Sequence, residues 1–275
     1  MKEFRRIQIR SVIYTILRFV VPILAIASCF LVSIYMDSTS SFLLVLIFAV
    51  LAVSMYIYMT NKVKSNQLLL ETLIFNEALK GIYDKKKASD ARSYLNINEL
   101  VKNDIMIEPY KRYGFLYYEV MYNRVIIDSS NLTLEYLEDS TKKKKRTYYG
   151  FVGRAIRYEL KSHKPLYLVN KSSKYFHTAN SIAEDDIFDV SGNSFNFDRI
   201  KRNGSLDKLK EYIKNHNDIK LSVFYLPEAI YILIEEEVIT INPKVRDKID
   251  ENYINNYKEK LRMPRDLADI LKITK

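Results

Sequence analysis

The chain has 275 residues, of which 48% are hydrophobic, and it carries a formal net charge of +10 from 43 basic and 33 acidic residues. One cysteine and six glycines occur in this length. A single cysteine excludes an internal disulfide framework and a cysteine-based metal site, which agrees with a reducing compartment.

The first 62 residues are typical of a transmembrane hairpin. Phe19 to Met36 contains no charged residue, and neither does Phe42 to Thr60. The second run has 19 residues, and at the helical rise it is about 28 Å long, close to the thickness of the hydrocarbon core of a bilayer. The pattern predicts a hairpin over 1–62, with spans at about 14–36 and 42–60.

Basic residues flank both apolar runs and predict the orientation of the hairpin. They are Lys2, Arg5, Arg6, Arg10, Lys62 and Lys64, whereas the loop between the runs carries only Asp37. Short loops rich in Lys and Arg stay in the cytoplasm. We therefore expect a multi-pass protein of the cell membrane with both termini cytoplasmic. A cleavable signal peptide is the alternative, disfavoured by the long first run and the second run directly after it.

The basic balance favours an anionic partner. A basic domain tethered at the cytoplasmic leaflet is attracted to anionic lipid. Nucleic acid is disfavoured, because the basic residues are interspersed among acidic ones and form no nucleic-acid motif. The densest basic cluster consists of Lys142, Lys143, Lys144, Lys145 and Arg146. It is either a solvated hairpin tip that protects a sheet edge or a contact with anionic head groups.

Helical periodicity continues after the second span. Leu68, Phe75, Leu79 and Ile82 recur on one helical face, which predicts a helix over 62–83. A second short helix is expected over 96–105. Together these two helices predict a helical stalk over 63–112.

Strand patterns begin near Tyr113. Leu132, Leu134 and Tyr136 alternate with polar residues, and a further strand is expected over 146–158. Gly150 lies inside this second strand, as does Gly153, which indicates a bulge or a close backbone approach. A short strand over 166–169 follows, and then 172–194 reads as an exposed polar loop.

The remaining pattern completes an α+β domain over 113–243. A helix is predicted from Ser205 to about His216, and strands over 221–225 and 229–234. The second strand is apolar on both faces and is therefore expected to be central, and 238–241 can extend or pair with it. The strands lack long helical crossovers, so a mainly antiparallel sheet flanked by helices is expected. A charged helical tail, broken by Pro264, is predicted over 244–275.

The arrangement resembles the DUF3137 group of bacterial membrane proteins of unknown function. Three segments carry the resemblance: Tyr148-Tyr149-Gly150-Phe151, then 189–197 with its Phe195-Asn-Phe, and 206–231 with Ser222-Val-Phe and Ala229-Ile-Tyr-Ile. The match covers 113–243, and the chain is short between Phe197 and Leu206. The resemblance implies two N-terminal spans, a helical stalk and a cytoplasmic β-rich domain, and it implies no activity.

No constellation of residues predicts a cofactor, a metal or a catalytic centre. His163, His177 and His216 are far apart in the sequence, so a surface or capping role is expected for each. Carboxylates cluster at Glu184, Asp185, Asp186 and Asp189. They can bind calcium in principle, but the glycine and spacing of an EF-hand are absent, and a solvated loop is favoured. The common phosphate-loop, nucleophile-elbow and zinc-protease motifs are absent as well.

These observations favour a membrane-anchored cytoplasmic interaction or regulatory domain. The alternatives are a membrane-bound enzyme of unrecognised type and a subunit of a transport or envelope assembly. An enzyme should show a polar pocket with convergent ionisable groups. An interaction module should show an exposed apolar patch or an open sheet edge.

Overall fold

A computed structural model of the protein describes residues 2–35, 38–138, 146–161, 164–176, 181–235, 237–244 and 247–274. The helices are α1 (Lys2–Tyr35), α2 (Ser38–Leu79), α3 (Asn98–Lys102), α4 (Ser194–Arg202), α5 (Ser205–Asn215) and α6 (Glu251–Ile270). The strands are β1 (Lys85–Asp90), β2 (Lys111–Tyr122), β3 (Val125–Glu138), β4 (Arg146–Glu159), β5 (Leu166–Asn170), β6 (Ser181–Ala183), β7 (Phe188–Gly192), β8 (Leu221–Tyr225) and β9 (Ile230–Glu235).

Two long apolar N-terminal helices precede a nine-stranded antiparallel sheet with further helices, which confirms the predicted α+β fold. Both α1 and α2 are long and apolar enough to cross a membrane. Helix α2 has 42 residues and continues beyond the second apolar run to Leu79, as the periodicity predicts.

The chain divides into two compact units, the first formed by Met1–Glu77 and Ile241–Asn255 and the second by Ala78–Thr240 and Asn256–Lys275. Within the first unit, the returning segment is bonded to both long helices. Gln8 Nε2 donates to the carbonyl of Asp247 at 2.8 Å, and Gln67 Nε2 donates to Asn242 Oδ1 at 3.0 Å. The second unit contains the sheet.

The strand order in the sheet is β1-β2-β3-β4-β9-β8-β5-β7-β6, and all neighbours are antiparallel. Every residue of β9 is buried, and the strand lies between β4 and β8. Its apolar residues on both faces predicted this central position. The edge strands are β1, which starts with three lysines and has a register shift between Lys86 and Ala88, and the three-residue β6.

Two glycines of β4 make room for close neighbours. A Cβ atom on Gly150 would lie 2.0 Å from the ring of Tyr136, and one on Gly153 would lie 2.0 Å from the carbonyl oxygen of Ile234. The register between β3 and β4 shifts opposite Gly150. The expected bulge and close approach are therefore confirmed.

The β2–β3 hairpin turns at Asn123 and Arg124, which have φ of 48° and 65°. A two-residue loop with positive φ at both positions is the geometry of a type I′ turn, whose twist matches that of the flanking strands.

One face of the sheet packs against residues 95–106, which include α3. The hydrophobic cluster there joins Leu95, Ile97, Leu100, Ile105 and Met106 to strand residues such as Leu134, Phe151 and Leu233. The opposite face carries Tyr118, Arg154 and Tyr158, all of which bond to backbone carbonyls of α6.

Pro264 lies inside α6, so the prediction that it breaks the helical tail is wrong. A proline at this position cannot donate to the carbonyl of Lys260, four residues earlier. Arg154 Nη1 donates to that carbonyl at 2.7 Å instead, and the hydroxyls of Tyr83 and Tyr118 donate to the next carbonyl, that of Leu261, at 2.6 and 3.2 Å. Side chains of the sheet domain thus satisfy the carbonyls at the proline.

Three further predictions are wrong in part. The stalk predicted over 63–112 is helical only to Leu79 and over 98–102, because the polar segment 85–90 pairs with β2 as a strand. The loop predicted over 172–194 contains β6 and β7. Residues 238–241 form no strand, since Ile239 bonds through its backbone to the side chain of Asn131.

Candidate functional site

A polar cleft of about 400 Å³ opens between the segment before β2 and the middle of the sheet. We call it the polar cleft and define it by its lining residues. They are Tyr94, Leu95, Asn96, Asn98, Glu99, Tyr117, Asp128, Arg157 and Tyr231.

Strand register brings the floor of the polar cleft together. Asp128 of β3 is paired with Arg157 of β4, and Arg157 is paired with Tyr231 of β9. Directly opposed residues in a sheet point to the same face with their Cβ atoms about 5 Å apart. One residue from each of three adjacent strands therefore lies in a single row, although the three are distant in the sequence.

The wall of the polar cleft comes from residues 94–99. The backbone N–H of Leu95 donates to Ser130 Oγ at 2.8 Å, and Leu100 of α3 is fully buried. Gly114 of β2 allows the close approach, because a Cβ at this position would lie 2.2 Å from Cβ of Tyr94. These contacts fix Glu99, which is half-buried, over the row on the sheet.

A chain of polar contacts crosses the polar cleft. The hydroxyl of Tyr117 donates to Asp128 Oδ1 at 3.1 Å, and Arg157 Nη1 donates to Asp128 Oδ2 at 3.0 Å. The guanidinium of Arg157 also interacts electrostatically with the hydroxyl of Tyr231, which donates to Glu99 Oε2 at 2.9 Å. Each polar group holds the next one, so the side chains of the polar cleft are positioned before any ligand enters.

Burial changes the pKa values of the polar side chains in the cleft. It raises the pKa of Asp128, an effect that the hydrogen bonds from Arg157 and Tyr117 oppose and that the nearby Glu119 reinforces. Burial also raises the pKa of Tyr117, as does the charge of Asp128. Burial and the carboxylate of Glu99 raise the pKa of Tyr231 in the same way. Both phenols therefore remain protonated hydrogen-bond donors at neutral pH.

The chemistry of the polar cleft suits recognition. The described lining residues include no histidine, cysteine, serine or threonine. The carboxylate of Asp128 is engaged by Arg157 and Tyr117 at both oxygens, so it is restrained as a general base. Preorganised polar groups in a concave site are typical of ligand binding.

A second surface lies on the opposite face of the sheet, at the far end of the long strands. It is lined by Tyr113, Thr133, Glu135, Tyr149 and Val152, around a shallow depression of about 550 Å³. Tyr149 is 64% exposed and Tyr113 is 45% exposed. We call it the tyrosine face.

The predicted lipid-contact residues Lys142, Lys143, Lys144 and Lys145 lie outside the described residues. Of Arg146, the structure describes only the backbone, which begins β4. The possible lipid contact thus stays a prediction.

The acidic cluster is engaged within the protein. Asp185 is 5% exposed at its side chain, pairs with Lys210 at 2.5 Å and accepts from the backbone N–H groups of Ile187 and Phe188. Asp186 also pairs with Lys210. The expectation of a wholly solvated loop is therefore wrong at Asp185. Over the ranges that the structure describes, no group of three or more His, Cys, Asp or Glu residues is suited to a metal ion.

Of the histidines, His216 has the predicted capping role. It is the C-cap residue of α5, its Nδ1 lies 2.8 Å from the carbonyl oxygen of Tyr212, and its ring stacks on that of Tyr212. His163 and His177 lie outside the described residues.

Sequence reasoning missed every polar residue of the cleft floor. Asp128 and Arg157 are charged residues of β3 and β4 that lie on the face carrying the hydrophobic cluster. A charge placed on a buried face is the signal that could have identified them.

Comparison of the chain with protein-family models, with curated proteins and with solved structures found no match. The resemblance to the DUF3137 group therefore stays a prediction.

Proposed function

We propose that the protein is a membrane-anchored binding module, in which α1 and α2 hold the sheet domain at the cytoplasmic face of a membrane. Support for the anchor comes from the exposure of the two helices. In their most apolar windows, 0% of α1 and 6% of α2 is buried within the protein. Transfer of apolar surface from water to lipid is favourable by about 25 cal/mol per Å².

The orientation follows from charge, because Lys2, Arg5, Arg6 and Arg10 precede the first predicted span, whereas only Asp37 is charged between the two apolar runs. A cysteine-labelling experiment tests it. In a Cys29→Ser background, Ser40→Cys should react with an impermeant maleimide in intact cells, whereas Lys208→Cys should react only after permeabilisation. Labelling of Lys208→Cys in intact cells would contradict the cytoplasmic placement.

The observation that carries the binding function is the chain of polar contacts from Tyr117 to Glu99 in the polar cleft. Its members are aligned by strand register and restrained by one another, which lowers the entropic cost of ordering a site around a ligand.

A panel of small cationic, neutral and anionic probes tests this function in ligand-observed NMR with the full-length protein in neutral nanodiscs. We expect at least one class to bind and to lose affinity when Asn98, at the rim of the cleft, is changed to Leu. The matched control is Asn252→Leu, an exposed asparagine of α6 outside the cleft. If the wild-type protein shows a cooperative thermal unfolding transition but binds no class of probe, the proposal is refuted.

A second candidate function is catalysis at the same cleft. The raised pKa of Asp128 favours it, since perturbed carboxyl groups in clefts mark functional sites. The same NMR samples separate the two functions. Conversion of a probe to product over hours by the wild-type protein, but not by Asp128→Asn, would support an enzyme. Probe signals that stay unchanged over the same time would support a binding module.

We also propose that Lys142 to Arg146 contact anionic head groups, as the density of charge in this segment suggests. Acetylation of Lys142 to Lys145 in the full-length protein should then be slower in nanodiscs of anionic lipid than in nanodiscs of neutral lipid. High salt should remove this difference in rate. Equal rates in both lipids at low salt would contradict the contact.

A further inference from the structure

We propose that the polar cleft binds a small organic cation, with an ammonium or guanidinium group held by Glu99 as its counter-ion. The inference rests on the binding function proposed above and names the chemical class of the ligand.

The charge balance of the polar cleft carries the first step. Three acidic or basic residues line it, namely Glu99, Asp128 and Arg157. Arg157 lies 3.0 Å from Asp128, so these two charges neutralise each other. Glu99 accepts a hydrogen bond from the hydroxyl of Tyr231, which is a neutral donor. Arg157 is the only basic residue among the described lining residues. Arg112, whose Nη1 donates to Asn98 at the rim, is itself paired with Glu108 at 3.5 Å. The carboxylate of Glu99 therefore has no cationic partner among the described lining residues.

The hydrogen bonding of the two carboxylates supports the same assignment. Both oxygens of Asp128 already accept hydrogen bonds, from Tyr117 and Arg157. Glu99 accepts through Oε2, which leaves Oε1 for a donor from a ligand. Since the cleft is open to solvent at this side, water is the competitor that the ligand must displace.

Aromatic side chains make the polar cleft suitable for an organic cation rather than a metal ion. Tyr94, Tyr117 and Tyr231 are all lining residues, and Tyr94 is 40% exposed. Aromatic faces attract ammonium and guanidinium groups. A divalent metal ion would need several free oxygen ligands, whereas both oxygens of Asp128 are occupied.

The polar cleft has room for a small molecule, but its one arginine is already engaged, which disfavours an anion. A volume of about 400 Å³ lies within the range of small-molecule sites. An anion would have to displace Asp128 from Arg157 and would then lie close to Glu99, so it would gain one ion pair while losing another. A cation meets Glu99 without disturbing any existing bond.

Agmatine is a suitable probe, because it carries a guanidinium group and an ammonium group on a short alkyl chain. It is titrated calorimetrically into the full-length protein in neutral nanodiscs. We expect Glu99→Gln to raise its Kd by about tenfold or more. Glutamine keeps an acceptor for the hydroxyl of Tyr231, so the polar cleft should retain its shape, and an unchanged thermal midpoint checks this.

The matched control is Glu228→Gln, which removes the same charge from an exposed side chain outside the lining. We expect it to leave the Kd unchanged. Equal affinities of wild type and Glu99→Gln for agmatine, or tighter binding of butyrate or butanol than of agmatine, would overturn the cation assignment while the binding function stands. Failure of every probe would overturn both.

Discussion

Replacement of the buried Arg154 should weaken the attachment of α6 to the sheet. Arg154 is 1% exposed, and its guanidinium bonds to Ser129 Oγ at 3.1 Å, to the hydroxyl of Tyr118 at 2.5 Å and to the carbonyl of Lys260 at 2.7 Å. Arg154→Met keeps much of the packing of the stem but removes every donor. The carbonyl of Lys260 then loses the donor provided by Arg154, and Pro264 supplies no N–H to replace it.

The magnitude follows from which groups are left without a partner. Tyr118 still donates to the carbonyl of Leu261, and the hydroxyl of Ser129 can rotate toward another acceptor. The part-buried carbonyl of Lys260 is then the main loss, at about 1–3 kcal/mol for an unsatisfied group. We expect α6 to lose about 2 kcal/mol of its free energy of opening.

Hydrogen exchange of peptides from 256–270, in the full-length protein in detergent micelles, measures this free energy for α6 itself. Arg262→Met is the matched control on the same helix. Its salt bridge to Asp266 is exposed, so its loss should cost about 0.5 kcal/mol or less.

A double-mutant cycle with Pro264→Ala tests the cause. Alanine restores an N–H that can donate to Lys260, so Pro264→Ala should stabilise α6 more in the Arg154→Met background than in wild type, by about 1 kcal/mol. Additivity within about 0.5 kcal/mol would refute the idea that Arg154 replaces the hydrogen bond missing at the proline.

Three further predictions concern the thermal stability of the full-length protein. Gly153→Ala should destabilise it by about 1–3 kcal/mol, because the new Cβ would lie 2.0 Å from the carbonyl of Ile234; an unchanged midpoint would contradict this close approach. Arg124→Gly should stabilise it by about 1 kcal/mol by removing the cost of a positive φ, and any loss would argue against the type I′ turn. The backbone N–H of Tyr253 lowers the pKa of Asp250 below 3.8, so the ionised carboxylate stabilises the start of α6 above that pH and less as the pH falls through the lowered pKa. Asp250→Asn should therefore shrink the fall in midpoint between neutral and strongly acidic solution, and equal falls would contradict the cap.

Local periodicity was sufficient for much of the fold. The alternation in 132–136 and the doubly apolar segment 230–234 appear as β3 and the central β9, because their burial is visible in the residue pattern. Strand β1 was missed, since Lys85 to Asp90 has no apolar alternation and pairs only because β2 offers a partner. Helix α4 was missed, although asparagine at position 193 is a favoured N-cap residue that the sequence shows. In the structure, Asn193 Oδ1 accepts from the backbone N–H of Asn196.

The polar cleft could not be predicted in the same way. Asp128, Arg157 and Tyr231 meet only because β4 pairs with β3 on one side and with β9 on the other. Long-range register of this kind leaves no trace in a window of a few residues. The proline in α6 failed as a helix breaker for a related reason, since the side chains that satisfy its neighbours come from distant strands.

The two outermost strands restrict how copies of this domain can associate. Lysine side chains and a register shift interrupt β1, and β6 offers only three residues with a shift of its own. Such borders disfavour strand-to-strand polymerisation. Crowding of many copies on one surface should therefore leave each sheet separate, and association should depend on side-chain recognition rather than on backbone pairing.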